Sequence, residues 1–193
     1  MPNLSLLVAR LRGRATCVLA RNARVLAQAR IVNLRNDSRL ISIGEGSVVR
    51  GELLVYAHGG EIVVGDHCYI GPGTRLWSAA RISLGNFVLI AHNVDIFDNL
   101  THPLDPVARR SHFRAILHSG HPKQDDLAEA SITIGDDVWI AAGACIMRGI
   151  TIGSGAVIAA RAVVTADVPP LAVVAGNPAR TVRYLPRPDG FGA

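Results

Sequence analysis

The sequence predicts a parallel β-solenoid, and three observations carry that prediction. Between Ile134 and Val164 an aliphatic residue falls on every sixth position: Ile134, Ile140, Ile146, Ile152, Ile158 and Val164. The residue that follows is usually small (Gly135, Ala141, Gly153, Ala159), with Met147 and Thr165 as exceptions. Hydrophobic residues make up 49% of the chain but aromatic ones only 5%, beside 19 glycines. A period of six suits neither an amphipathic helix nor a simple alternating strand. It marks short units that bury their apolar face only by stacking on the next unit. Small residues after the aliphatic ones fit corners where backbone crowds backbone. With 193 residues the chain makes one domain with a sizeable core.

The elements follow in order. Residues 4–30 read as a helix, because Leu4, Leu7, Leu11, Val18 and Val25 recur near the helical repeat with arginines between them. Residues 1–39 hold eight arginines against one acid, Asp37, and read as a basic helical cap over the open end of the solenoid. The same basic amphipathic character suits peripheral contact with a membrane surface. The β-helix is expected over residues 40–185. Ile43, Val49, Val64, Ile70, Leu76 and Ile82 set its rhythm, which slips by two residues and resumes at Leu84, Ile90 and Ile96. From about 100 to 131 the pattern vanishes, in a segment holding four of the seven histidines, and an extended loop is expected there. A long loop within a regular repeat is usually functional. The tail over 186–193 is expected to be loose.

Composition excludes several classes. No apolar run is long enough to span a membrane, and Arg10, Arg12 and Arg14 interrupt the early apolar residues where a signal peptide would need them unbroken. Three widely spaced cysteines (Cys17, Cys68, Cys145) form no metal pair and point to a reducing, cytoplasmic setting. The net charge of +5 lacks the interleaved aromatic residues of a nucleic-acid surface.

Residues Ile132 to Leu185, reading ITIGDDVWIAAGACIMRGITIGSGAVIAARAVVTADVPPLAVVAGNPARTVRYL, resemble the C-terminal signature of the hexapeptide-repeat acyltransferases. The stretch Thr101-His102-Pro103-Leu104-Asp105-Pro106, followed by Arg109, is similar to the sugar O-acetyltransferases of the maltose, galactoside and nodulation-factor type. That resemblance implies a left-handed parallel β-helix with three hexapeptides to a coil, a homotrimer, and transfer of an acetyl group from acetyl-CoA to a sugar or glycan hydroxyl. A role in polysaccharide or lipopolysaccharide synthesis, and no metal, go with it.

His102 is the expected general base, since an imidazole titrates where removal of a hydroxyl proton is useful. Asp98, four residues earlier, is a candidate for orienting its ring or contacting the acceptor, or else a turn aspartate. Asp105 and Arg109 read equally well as parts of the loop. By resemblance Trp139, Ala142 and Ala160 line the donor groove, and Thr165 meets the nucleotide. Arg180 and Arg183 offer guanidinium forks to phosphate. Two departures stand out: Ala166 replaces the lysine of many relatives, leaving Arg161 as a substitute, and residues 71–74 (Gly-Pro-Gly-Thr) lack the usual acceptor asparagine. Serine, an antibiotic or a nucleotide-sugar amine are alternative acceptors. A zinc-dependent carbonic anhydrase on the same repeat is a further alternative, but His67, His92, His118 and His121 lack the paired spacing its metal needs.

Overall fold

The structure, a computed structural model, describes residues 16–120, 122 and 127–188. Three short strands and three corners make each coil of a parallel β-helix. The first coil is β1 (Val18–Leu19), β2 (Arg24–Val25) and β3 (Arg30–Asn33); the second is β4 (Ile41–Ile43), β5 (Val48–Val49) and β6 (Glu52–Val55). The third holds β7 (Ile62–Val64), β8 (Tyr69–Ile70) and β9 (Arg75–Ser78), and the fourth β10 (Ile82–Leu84), β11 (Leu89–Ile90) and β12 (Asp95–Phe97). After the insertion come β13 (Ile132–Ile134), β14 (Trp139–Ile140) and β15 (Cys145–Ile146), then β16 (Thr151–Ile152), β17 (Val157–Ile158) and β18 (Val163–Val164). Finally β19 (Ala172–Ala175) and β20 (Arg180–Tyr184) form an antiparallel pair.

Stacking gives three sheets. The first sheet runs β1-β4-β7-β10-β13-β16 and the third runs β3-β6-β9-β12-β15-β18. The second runs β2-β5-β8-β11-β14-β17 and is extended by β19 and β20. Inward residues stack in columns, such as Ile90 on Ile140 on Ile158 on Val174. The six aliphatic residues of the sequence repeat are all buried, none more than 1% exposed. The slip between Ile82 and Leu84 has a simple cause. First-sheet strands such as β10 are three residues long, so both end residues point inward and are buried. At the corners after this sheet, Gly65 lies so close to the carbonyl of Gly85 that a Cβ would collide with it, and Gly153 is similarly pressed against Pro170. Coils meet there backbone to backbone, which is why small residues recur.

Two sequence expectations change. The first half of the expected N-terminal helix lies outside the described residues, but residues 18–33 form the strands of a complete first coil. Val25 packs into the core column and its arginine neighbours face solvent, so an alternation compatible with a helix is resolved by the stacking partner into strands. The segment at 100–131 is not only a loop: it contains the helix α1 (Pro106–Ser119). Asp105 caps it by accepting from the Ala108 N–H, and Pro106 stands in its first turn. Of the expected loose tail, residues 189–193 lie outside the described residues.

Candidate active site

The insertion leaves the solenoid at Leu100 and returns at Leu127, whose carbonyl accepts from the Leu100 N–H at 3.0 Å. Between Leu100 and His102 the chain makes a three-residue turn, with the His102 N–H donating to the Leu100 carbonyl at 2.7 Å. Thr101 at its centre has φ +61°, a left-handed conformation that a branched residue adopts only under constraint. Asn99 supplies the constraint by accepting from the Thr101 N–H at 2.8 Å. His102 is thereby held exposed at the rim of the third sheet. Arg109 donates to the carbonyls of Pro103 and Leu104, tying α1 to the turn, so Asp105 and Arg109 both serve the insertion's own architecture.

Asp98 does not orient His102. It is fully buried, and its carboxylate accepts from the Ser78 hydroxyl (2.6 Å), the Ala79 and Ala80 N–H groups (2.8 and 3.0 Å) and the Asn99 amide (3.2 Å). It pins the corner of one coil to the next. The residue against the His102 ring is His112, which sequence reasoning missed. Its Nδ1 lies 3.2 Å from Nδ1 of His102, the two rings meeting edge to face, and it is only 5% exposed. A histidine on the buried side of an unrecognised helix carried no sequence signal.

His102 stands between two clefts. One, of about 380 Å³, has Arg109 and Arg110 on its wall. The other, of about 450 Å³, lies between α1 and the outer face of the third sheet, with Tyr56, Trp77, Phe97, Phe113 and Ile116 around it. Trp77 and Phe97 stack at 5.0 Å between centroids, and the Arg75 guanidinium lies 5.1 Å from the Trp77 ring. Burial pushes the Tyr56 hydroxyl up to about 12, with the nearby Asp98 carboxylate adding to the shift.

Trp139, Arg180 and Arg183 lie on the second sheet and Ala142 and Ala160 at the corners after it, whereas Thr165 directly follows β18 of the third sheet. Trp139 is 48% exposed on the second sheet, so it is not a core residue. It belongs to a lateral row, Trp139 beside Val157 beside Val173 beside Arg183. At roughly 4.8 Å per strand this row spans about 14 Å. Arg180 and Arg183 would face opposite ways in a regular strand, being three apart. A bulge opposite Val173 and Val174 inserts Val182 and brings both back to one face. Ala142 and Ala160 sit on stacked corners, where the Ala142 carbonyl accepts from Arg161, and Thr165 is exposed at the next corner. Neither cleft beside His102 includes any of these residues.

Neither Cys68 nor Cys145 is a prepared nucleophile, since burial raises both thiols. Among the described residues no three His, Cys, Asp or Glu side chains gather as a metal site, and no helix is long and apolar enough to cross a membrane.

A coiled β-helix with a histidine presented on an insertion defines the class of hexapeptide-repeat transferases. The pattern of the bacterial transferase hexapeptide (six repeats) matches residues 131–166. Nodulation protein L of Rhizobium meliloti is 37% identical over 138 residues, 72% of this chain and 67% of that protein. A chloramphenicol acetyltransferase of Agrobacterium fabrum is 40% identical over 122 residues, 63% of this chain and 51% of the relative. A maltose O-acetyltransferase from Clostridium difficile 630, of known structure, superposes with a TM-score of 0.55 at 27% identity, covering 92% of this chain and 73% of that one. This chain belongs to the hexapeptide-repeat acyltransferase family, and its fold is the left-handed parallel β-helix. The matched stretch spans between 51% and 60% of the length of three curated relatives.

Proposed function

We propose that the protein transfers an acetyl group from acetyl-CoA to a hydroxyl of a sugar or glycan acceptor, with His102 as general base. One observation carries this reading: an exposed imidazole, fixed by a strained turn, whose second nitrogen is engaged by another imidazole. Two facing Nδ1 atoms can share only one proton. To take a proton at Nε2, neutral His102 must carry its own on Nδ1 and donate it to an unprotonated Nδ1 of His112. His112 thus selects the tautomer a base requires, a task for which the sequence offers Asp98 as one candidate. As the acceptor oxygen attacks the thioester carbonyl, its proton passes to His102 Nε2. A tetrahedral oxyanion forms, and its collapse expels the CoA thiolate, which takes up a proton.

The donor reading is supported by the outward row from Trp139 to Arg183 and the shared face of Arg180 and Arg183. An aromatic side chain can flank the pantetheine arm, and the arginines can pair with phosphate. Ala142 and Ala160 adjoin this side, and Thr165 stands at the end of β18 on the third sheet. His102 and this row do not share a cleft within one chain, which supports a site completed by a neighbouring copy in the homotrimer that the family resemblance implies. The relative named chloramphenicol acetyltransferase keeps an antibiotic among the alternatives to a glycan.

The test is His102→Ala, followed by thiol release from acetyl-CoA. Turnover should fall by about two to four orders of magnitude with the fold intact by circular dichroism. Near-normal turnover would remove His102 from the chemistry.

A further inference from the structure

The two limbs that carry the insertion out of the solenoid and back are bonded to each other. The Leu100 N–H donates to the Leu127 carbonyl at 3.0 Å, and the Ala130 N–H donates to the Asp98 carbonyl at 2.8 Å. Each limb holds a residue with a left-handed backbone: Thr101 going out and Ala128, at φ +52°, coming back. Neither is glycine, so each persists only where its surroundings hold it. Asn99 steadies Thr101. On the return limb the Glu129 carboxylate reaches back across Ala128 and accepts from the Leu127 N–H at 3.3 Å.

The same carboxylate oxygen lies 3.3 Å from Nε2 of His58, a histidine that the proposed chemistry does not use. His58 stands in the loop between β6 and β7 with its side chain 12% exposed, and its Nε2 is closed off from solvent. A carboxylate can only accept, so that nitrogen carries a proton directed at Glu129. Removing Glu129 would leave a buried N–H unanswered. The loop is tied down on its other side. Gly59 and Gly60 press against the carbonyls of Ala79 and Ser78 with no room for a Cβ. Ala79 is also where Asp98 pins the corner, and the Tyr56 ring packs 5.5 Å from that of His58. A continuous line of contacts therefore runs from a fixed part of the solenoid to His102. It passes from His58 to Glu129, to Leu127, to Leu100, whose carbonyl accepts from the His102 N–H.

We propose that His58 and Glu129 form a clamp that positions His102: the pair seats the return limb, and the return limb fixes the turn that presents the imidazole. The catalytic consequence rests on His102 being the base; the clamp itself does not. Amide hydrogen exchange over residues 98–104 and over the coils tests the clamp. His58→Ala and Glu129→Ala should each speed exchange at Leu100 and His102 about tenfold, the weight of one lost contact, while β8, β11 and β14 exchange as before. The double variant should be no faster than either single one. His58→Gln, whose amide N–H can reach the same carboxylate, should restore protection. Unchanged exchange in Glu129→Ala, which alters the insertion and not the core, overturns the clamp, as does additive loss in the double variant. If His58→Ala loosens every coil, Glu129→Ala alone decides. Thiol release from acetyl-CoA, with chloramphenicol and methyl β-D-galactoside as acceptor probes, then reads the effect on His102. The kcat should drop about tenfold in both alanine variants with the KM for acetyl-CoA unchanged, and His58→Gln should recover it. Faster limb exchange with an unchanged kcat, in a protein that His102→Ala inactivates, overturns the positioning role. Near-normal turnover in His102→Ala overturns the base and leaves the clamp.

Discussion

In the proposed mechanism the buried ring of His112 decides whether its neighbour can act as a base. If its Nδ1 is the acceptor that holds the His102 proton in place, His112→Leu should lower kcat by about ten- to a hundredfold, because a ring free to turn misplaces the base. The KM values for both substrates should hardly move. His112→Asn, whose side-chain oxygen can accept in place of Nδ1, should restore much of the rate. Equal loss in both variants would reduce His112 to packing. His102 was legible in the sequence because it opens a recognisable motif in the one irregular stretch of the repeat. Its partner was not. Asp98 offered a closer position along the chain, but its carboxylate is consumed by Ser78, Ala79 and Ala80 of the preceding coil, a contact that sequence spacing does not reveal.

At the scale of elements, the terminal hairpin carries its own device. Arg180 and Arg183 share a face only because Val182 is bulged out of the β19–β20 ladder. Arg180→Ala and Arg183→Ala should each raise the donor KM about 10- to 100-fold, the ~1.5–3 kcal/mol of a charged hydrogen bond to phosphate. Deleting Val182 should do as much with both arginines retained, since it turns them to opposite faces. An unchanged KM in the deletion variant would show that their shared face is irrelevant to CoA. The strands of the C-terminal coils were readable because every sixth residue is buried without exception. The first coil was not. In Val18–Asn33 the apolar spacing fits a helix as well as short strands, and the choice is made by Val48 and Val49 lying alongside Arg24 and Val25. Helix α1 was hidden for a related reason: its charged and apolar residues alternate without a clean stripe, and its cap Asp105 reads equally well as part of a loop.

For the whole molecule, the proposed roles of His102 and the separate Trp139–Arg183 row make assembly part of the proposed chemistry. Light scattering should report a trimer. Co-expressing His102→Ala with Trp139→Arg, each inactive alone, should yield mixed assemblies with measurable turnover, because some sites then draw a sound base and a sound groove from different chains. A monomer, or no recovery, would defeat the shared site. The insertion also bears on how the chain reaches its fold. Ile62 and Ile82 are adjacent rungs 20 residues apart along the chain, whereas Ile82 and Ile132 are equally adjacent rungs 50 residues apart. Closing the longer loop costs about 0.8 kcal/mol more in chain entropy. Coils one to four can therefore stack as one nucleus and the C-terminal coils as another, with the joining of β10 to β13 the late, slow event that sets the histidine in place.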